Sequence, residues 1–358
     1  MKKYILVFFM VLILGLISSI HPVYALNDTA SSSIVMDISS GRILYEKNSH
    51  SQRLIASTTK IMTCILAIEN GNLDDTVQVG EEVLKMYGSN IYLELGEKMT
   101  LKDLLYGMML RSGNDAATVI ATYIGKDQET FVEMMNQKAK EIGMQDTIFR
   151  NPTGLDDYEE NYSTAYDMAL LSKYAYQNET YREIVGTEKY RVEGEKLYIW
   201  NNRNELLKTY DYATGGKTGY TPRAGHTLVT TASYNGLDLT AVTLNDGNMY
   251  LNQEELYDYA FSNYERITIL DKDHFEVSDN YYQDKIYIKN SFQYPLTKEE
   301  QEEVTTLLSL TKKTKLKDGD EVGKVEVYLK GEKIHEEPVF VEILSLIHIS
   351  EPTRLALI

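Results

Sequence analysis

The chain has 358 residues, with 36 Lys and Arg against 53 Asp and Glu, and therefore a formal net charge of −17. So acidic a chain lacks the basic footprint that phosphate binding requires, and we expect no nucleic-acid partner. Its 43 % hydrophobic residues and 22 Gly are typical of a globular protein and exclude a disordered or collagen-like chain. The length predicts two domains. A single cysteine, Cys64, excludes an internal disulfide, and because it lies in an apolar run we interpret it as a buried structural thiol.

The N-terminus has the layout of a secretory signal. Two lysines precede an apolar stretch at 4–17, and residues 23–25 (Val-Tyr-Ala) form a small-x-small cleavage site. The apolar stretch is shorter than the ~20 residues of a membrane-spanning helix, which argues against an uncleaved anchor. We therefore predict a signal peptide at 1–25 and a protein exported to the outer face of the cytoplasmic membrane or the cell wall.

Strand signals lie at both ends of residues 26–265, and helix signals lie between them. A hairpin is predicted at 33–37 and 42–45, around a Ser-Ser-Gly turn. Apolar periodicity predicts helices at 54–70, 101–110, 116–124, 131–142, 164–176 and 254–263. A capping box at Thr100 and Asp103 opens the second of these helices, and Asp115 caps the third. Strands at 190–192, 227–232 and 237–244 complete the pattern, which predicts an α/β (α+β) fold: one antiparallel sheet with a helical insertion.

After residue 265 the sequence changes to short β-type runs. They lie at 285–289, 321–329 and 339–343, with turns at 318–320 and 330–332. We therefore predict a larger domain at 26–265 and a small β-rich domain at 266–344. Residues 345–358 continue neither pattern and resemble the translation of a sequencing adapter, so we expect this tail not to be native and assign it no function.

Ser57 and Lys60 are three residues apart at the start of the first predicted helix. Residues i and i+3 share a helix face, so the lysine amine can reach the serine hydroxyl. Burial and nearby positive charge lower a lysine pKa, which lets the neutral amine act as a base. The same spacing recurs at Ser309 and Lys312, where we interpret the lysine as an ordinary solvated side chain.

Two further segments have residues suited to a binding cleft. Ser112 and Asn114 lie in a turn between two predicted helices, although such residues also favour ordinary turns. Gly215–Thr221, just before a predicted strand, places glycines around a Lys-Thr pair and permits close approach of a ligand. A phosphate-binding loop is excluded, because Asp211 stands where the first glycine of that motif belongs.

In this order, the three motifs resemble those of the penicillin-binding proteins and serine β-lactamases. The wider match, over about residues 28–345, is to the low-molecular-weight D-alanyl-D-alanine carboxypeptidases, serine peptidases of the S11 type. The resembling segments are 37–45, 56–63, 110–116, 149–155, 162–169, 202–204 and 217–225. The resemblance implies a β-lactamase/transpeptidase-like catalytic domain followed by a small β-sandwich, and a penicillin-sensitive serine D-Ala-D-Ala carboxypeptidase.

The resemblance also implies a role for each motif residue. Ser57 is the expected nucleophile on the carbonyl of the penultimate D-Ala, and Lys60 the base that takes its proton. Ser112 is expected to relay a proton to the leaving amine. The remaining expected residues bind substrate: Asn114 holds its peptide amide, Lys217 and Thr218 hold its terminal carboxylate, and the backbone N–H of Tyr220 forms an oxyanion hole with that of Ser57.

The partners follow from the same resemblance. Stem peptides of peptidoglycan ending in D-Ala-D-Ala are the expected substrates, β-lactam antibiotics the expected covalent inhibitors, and no metal or cofactor is implied. Relatives end in an amphipathic anchor helix, so contact with a membrane surface is expected through a C-terminal anchor that this sequence lacks.

Two positions depart from the family pattern. Asn161 stands before the Tyr-Ser-Thr-Ala segment, where family members often have His. Some relatives bind the substrate carboxylate with an Arg after the Lys-Thr-Gly strand pair, but residues 245–250 contain none. Arg223 is a candidate replacement.

Other reaction classes fit less well. A Ser-His-Asp hydrolase is excluded, because the chain has no Gly-x-Ser-x-Gly elbow near a suitable His. No His-Glu-x-x-His motif or Cys pair indicates a metal site. A class A β-lactamase would add a Glu-x-x-x-Asn segment between Asn114 and Lys217, which is absent. Two alternatives stay open: a D,D-endopeptidase acting on cross-links, and a catalytically decayed wall-binding protein.

Overall fold

The computed structural model describes residues 26–192, 196–278, 280–282, 285–313 and 315–343. The predicted signal peptide at 1–25 and the tail at 345–358 lie outside these residues, so both stay predictions. Among the helices of the described ranges, none has the length and apolarity needed to cross a membrane.

The strands and helices are numbered separately in chain order. The strands are β1 (Ser32–Asp37), β2 (Ile43–Lys47), β3 (Arg53–Leu54), β4 (Thr76–Gln78), β5 (Lys98–Thr100), β6 (Tyr162–Ser163), β7 (Lys189–Val192), β8 (Tyr198–Asn201), β9 (Ala213–Thr221), β10 (Gly225–Tyr234), β11 (Leu237–Leu244), β12 (Glu265–Leu270), β13 (Ile286–Ile288), β14 (Phe292–Leu296), β15 (Val304–Leu310), β16 (Glu321–Leu329) and β17 (Glu332–Val341). The helices are α1 (Lys60–Asn70), α2 (Leu101–Arg111), α3 (Asn114–Gly125), α4 (Gln128–Glu141), α5 (Ala165–Tyr176), α6 (Glu179–Gly186), α7 (Leu206–Thr209), α8 (Met249–Asn263) and α9 (Lys298–Gln301).

An antiparallel sheet with strand order β2-β1-β11-β10-β9 organises the first part of the chain. Successive residues of a strand point to opposite faces, so Ile34 and Met36 join the large helical core while Val35 packs on the other side with Leu256 of α8. The segment between β2 and β9 supplies the helices of that large core. The predicted sheet with a helical insertion is therefore confirmed.

The C-terminal part has a hydrophobic cluster of its own, which runs from Leu270 to Val341. This C-terminal part contains a sheet of strand order β13-β17-β16-β15 and the separate strand pair β12-β14. This confirms the expected β-structured second domain as a fold, while the boundaries predicted for it stay predictions.

Arg42, on the β1–β2 hairpin, fixes the second part of the chain to the first. Its guanidinium lies 5.3 and 5.0 Å from the ring centroids of Tyr264 and Tyr294 and 2.6 Å from the Glu300 carboxylate. Both charged side chains are nearly buried, so the pair is screened from solvent and restrains the junction more than a surface ion pair does.

The start predicted for the first helix, at residue 54, was wrong. Residues 54–59 are not part of the α-helix: Leu54 ends the short strand β3, Ala56–Thr59 form a 3-10 turn, and α1 begins at Lys60. Ala56 has φ +47°, a left-handed conformation that interrupts a right-handed helix. The apolar residues before Lys60 reflect burial in the core and not helical periodicity.

Gly215–Thr221 lies just before a strand, β10, as predicted, but these residues are themselves part of strand β9, which was not predicted. Glycine disfavours strands in general, but here it is required by close packing. A Cβ on Gly216 would lie 2.3 Å from the Val229 carbonyl oxygen on β10.

Of the two helix caps predicted from the sequence, the one at Thr100 is confirmed and the one at Asp115 is wrong. Thr100 caps α2 as predicted, because its side-chain oxygen accepts from the Asp103 N–H. The same hydroxyl donates to the Asp103 carboxylate at 2.5 Å. Asp115 is not a cap: α3 begins one residue earlier, and the Asp115 carboxylate accepts from the N–H groups of Ile91 and Leu93.

Candidate active site

Ser57 lies in the 3-10 turn that leads into α1, and Lys60 is the first residue of that helix. Residues i and i+3 eclipse each other in a 3-10 turn, which places the Lys60 Nζ 3.0 Å from the Ser57 Oγ. The turn is held by the Ile55 carbonyl, which accepts from the Thr58 hydroxyl at 2.6 Å and from the Thr227 hydroxyl of β10 at 3.1 Å.

Lys60 is fully buried, with 0 % of its surface exposed. Its Nζ donates to the Asn114 Oδ1 at 2.7 Å and to the Thr153 carbonyl at 2.5 Å, and no carboxylate pairs with it among the described residues. Burial first, and then the charge of Lys217, hold the pKa of Lys60 well below the usual lysine value. The amine is thus set up to be neutral and to accept a proton.

Ser112 and Asn114 are both buried at the turn between α2 and α3. Ser112 ends α2 with φ +63°, and Asn114 opens α3. The Asn114 Nδ2 donates to the Tyr87 carbonyl at 2.7 Å, which turns its Oδ1 toward Lys60. The Ser112 hydroxyl makes no hydrogen bond to Lys60 or Lys217 within the described ranges, so its expected relay role stays a prediction.

Lys217 is buried on β9, and its Nζ donates to the Thr218 carbonyl at 2.7 Å. Burial, followed by the charge of Arg203, lowers the pKa of Lys217 to about 7. The Thr218 side chain is half-buried.

β9 lies directly against the Ser57 turn because residue 219 is a glycine. A Cβ on Gly219 would lie 2.9 Å from the backbone nitrogen of Ser57. Tyr220 follows with an exposed ring that packs on His226 at a centroid distance of 4.6 Å. β9 is also an outer strand of the sheet, with no second strand partner in the described ranges, and an outer strand is the kind of edge with which an extended peptide can pair.

Sequence reasoning missed two groups. The Thr153 carbonyl accepts a hydrogen bond from Lys60, and the charge of Arg203 lowers the pKa of both Lys60 and Lys217. Their segments, 149–155 and 202–204, stand out in the sequence without any feature that assigns them a role. The candidate Arg223 pairs instead with Glu160 and donates to the Asp156 carbonyl.

Neither Cys64 nor Ser309 is placed to act as the nucleophile of a second site. Cys64 is fully buried in α1, and burial raises the pKa of its thiol. Ser309 lies on β15 opposite Lys324, so it cannot share a helix face with Lys312. In the described part of the chain, no group of three or more His, Cys, Asp or Glu side chains is placed to hold a metal ion.

Comparisons with known proteins agree with this geometry. Residues 21–248 match the family model for D-alanyl-D-alanine carboxypeptidase, peptidase S11, and residues 264–343 match that for the penicillin-binding protein 5 C-terminal domain. The chain is 35 % identical to the D-alanyl-D-alanine carboxypeptidase DacF of Bacillus subtilis, over 87 % of this chain and 84 % of that one. It is 30 % identical to DacC of Escherichia coli, over 86 % and 82 %. The crystal structure of penicillin-binding protein 5 from Haemophilus influenzae superposes with a TM-score of 0.74 at 28 % identity, over 88 % of this chain and 97 % of that one. The chain belongs to the D-alanyl-D-alanine carboxypeptidase family, peptidase S11.

Proposed function

We propose that Ser57 and Lys60 carry out the serine D-Ala-D-Ala carboxypeptidase reaction of this family on peptidoglycan stem pentapeptides. The observation that carries the proposal is the 3.0 Å contact between the Lys60 Nζ and the Ser57 Oγ, made by a fully buried lysine with a lowered pKa. A neutral amine at hydrogen-bond distance from a hydroxyl is the arrangement that activates a serine nucleophile.

In acylation, the Ser57 Oγ attacks the carbonyl carbon of the penultimate D-Ala while its proton passes to the Lys60 Nζ. The backbone N–H groups of Ser57 and Tyr220 hold the oxyanion, and each such donor contributes ~3 kcal/mol to transition-state stabilisation. The intermediate collapses when the peptide C–N bond breaks and the leaving amine of the terminal D-Ala takes the proton of Lys60 through Ser112. In deacylation, water attacks the ester carbonyl and its proton passes to Lys60; the ester bond then breaks, and the Ser57 Oγ takes that proton back.

The terminal carboxylate of the substrate requires cations beside the nucleophile. Lys217 and Arg203 supply them, with the Thr218 hydroxyl as a further donor. Arg203 is favoured over Arg223 because its charge already reaches Lys217, whereas the guanidinium of Arg223 is held by Glu160. Asn114 holds the peptide amide of the substrate and orients Lys60.

The KM for a stem pentapeptide should depend on the protonation of Lys217. Its pKa is lowered to about 7, so Lys217 loses its proton as the pH rises through that value. We expect KM to rise about tenfold per pH unit above pH 7, because the anionic carboxylate needs the protonated amine. In Lys217→Arg the cation persists and KM should stay level from pH 7 to 9. The measurement is KM against pH for both proteins, with a C-terminally amidated peptide as control; an equal rise in the arginine variant would contradict the role.

The remaining parts of the proposal concern ligands and location. β-Lactams acylate Ser57 in place of the peptide, because the same nucleophile and oxyanion donors meet their ring carbonyl. A cell-wall substrate places the protein outside the cytoplasm, where it arrives through the signal peptide at 1–25. A membrane surface is its expected neighbour.

Release of D-alanine tests this function. The mature chain from Leu26 should release D-alanine from a stem pentapeptide ending in D-Ala-D-Ala, and Ser57→Ala should release none. Ser309→Ala is the matched control, because it changes the other Ser-x-x-Lys serine, and it should act like the wild type. Cleavage of cross-linked dimers without release of D-alanine from the pentapeptide would favour the endopeptidase. Inactivity on both substrates would favour the decayed wall-binding protein.

A further inference from the structure

The segment between α4 and α5 bears the Thr153 carbonyl and lies along the nucleophile turn. Thr63 of α1 donates to the Pro152 carbonyl at 2.8 Å, and Lys60 donates to the Thr153 carbonyl at 2.5 Å. At Gly154 the backbone comes so close to residues 56 and 57 that a Cβ would clash with them. We call residues 149–161 the base loop.

The base loop decides where the lone pair of Lys60 points. A neutral amine has two N–H groups and one lone pair. The Thr153 carbonyl and the Asn114 Oδ1 can only accept, so they take the two N–H groups. The lone pair is then left for the third neighbour, the Ser57 hydroxyl. A displaced Thr153 carbonyl would let the amine rotate and turn its lone pair away.

Asn161 joins the base loop to the residue that precedes Lys60. Its Oδ1 accepts from the backbone N–H groups of Arg150 and Asn151, at 2.7 and 3.2 Å. Its Nδ2 donates to the Asn151 carbonyl at 2.9 Å and to the Thr59 hydroxyl at 3.0 Å. These four bonds use the full capacity of the amide, and the side chain is buried.

Asn151 passes this restraint on to Thr153. Its Oδ1 accepts from the N–H and the hydroxyl of Thr153, at 3.1 and 2.9 Å, and from the Gly154 N–H at 2.7 Å. Asn161 thus fixes the backbone of Asn151, Asn151 fixes Thr153, and Thr153 orients Lys60.

We propose that Asn161 is a positioning residue for Lys60: it ties the base loop to Thr59 and so keeps the Thr153 carbonyl where it directs the lysine lone pair at Ser57. The inference rests on the proposed roles of Ser57 and Lys60. A histidine in place of Asn161 would offer one donor and one acceptor when neutral, so it could replace no more than part of this network.

The test compares Asn161→Ala with Asn136→Ala. Asn136 is the matched control, because its side chain also bonds the base loop, at the N–H and carbonyl of Phe149, but does not touch the Thr153 connection. The probes are a fluorescent penicillin, for the acylation rate constant and the binding constant, and a stem pentapeptide, for kcat and KM. Rates are normalised to the concentration of folded protein.

We expect Asn161→Ala to lower the acylation rate constant and kcat about 10- to 100-fold, with binding constant and KM changed less than about twofold. Asn136→Ala should stay within about twofold of the wild type on all four quantities. Asn161→His should fall between the wild type and Asn161→Ala. If the alanine variant does not fold, the histidine variant decides: a reduced kcat at unchanged KM supports the proposal, and wild-type kinetics overturn it.

Equal normalised rates for Asn161→Ala and Asn136→Ala would overturn the proposal, because both residues would then merely stabilise the base loop. An effect of Asn161→Ala on KM alone would also overturn it. A wild-type protein that neither binds penicillin covalently nor releases D-alanine would instead refute the proposed function, and with it this inference.

Discussion

Replacing Lys60 by methionine is expected to lower the rate of Ser57 acylation about a thousandfold, within the range that loss of a general base produces. Methionine has a similar length but no proton acceptor, so Ser57 is left without a base 3.0 Å away. Any decline of the rate on acidification that arises from protonation of Lys60 should be absent from the variant, and the residual rate should rise with hydroxide concentration. Acylation by a fluorescent penicillin between pH 5 and 9 measures both effects.

Lys138→Met is the control for this variant, because Lys138 is a partly buried lysine of α4 whose amine contacts Glu69, Glu141 and Tyr174 and none of the proposed catalytic residues. It should acylate at the wild-type rate. If Lys60→Met kept a tenth of the wild-type rate and the same decline of the rate at acid pH, the result would show that another group takes the serine proton.

Replacing Gly154 by alanine is expected to disrupt both stability and catalysis. Gly154 has φ +84°, and a Cβ there would lie 1.9 Å from the Ala56 carbonyl oxygen. The added methyl forces either the base loop or the nucleophile turn to move. We expect the free energy of unfolding to fall by about 3 kcal/mol, from backbone strain and steric conflict together. We expect kcat to fall about a hundredfold, because the Ser57 N–H leaves its position in the oxyanion hole.

Gly96→Ala separates strain from clash. Gly96 has the same φ of +84°, but a Cβ there would meet no atom within 4 Å. It should therefore lose about 1 kcal/mol of stability from the left-handed conformation alone, and keep full activity. Chemical denaturation and D-alanine release measure the two variants side by side. Equal losses in both would show that the close approach at Gly154 is unimportant.

The sequence predicts those parts of the site that are local in the chain. The contact between Ser57 and Lys60 follows from their three-residue spacing, which brings side chains together in an α-helix and in a 3-10 turn alike. The lowered pKa of Lys60 also follows in direction, because an apolar run indicates burial. The sheet and its helical insertion are predictable from the alternation of strand and helix signals.

What the sequence does not predict depends on backbone groups and on distant neighbours. The Thr153 carbonyl has no side-chain signature, so its contact with Lys60 is visible only in the folded chain. The effect of Arg203 on Lys217 joins two segments brought together by tertiary packing. β9 was missed because Gly215, Gly216 and Gly219 lower its strand propensity, yet each is needed where another chain segment passes close by.

The position of β1 in the sheet has a consequence for the order of folding. β1 is an inner strand, and its partner β11 lies more than 200 residues later, with Ser32 paired to Leu244. The sheet therefore cannot close until nearly the whole first part of the chain has been synthesised. Such long-range pairing carries a large entropic cost before any contact compensates it, which slows folding. A chain whose central sheet pairs last keeps β1 without its inner partner while the chain emerges from the ribosome, so the helices between β2 and β9 are complete before the sheet is.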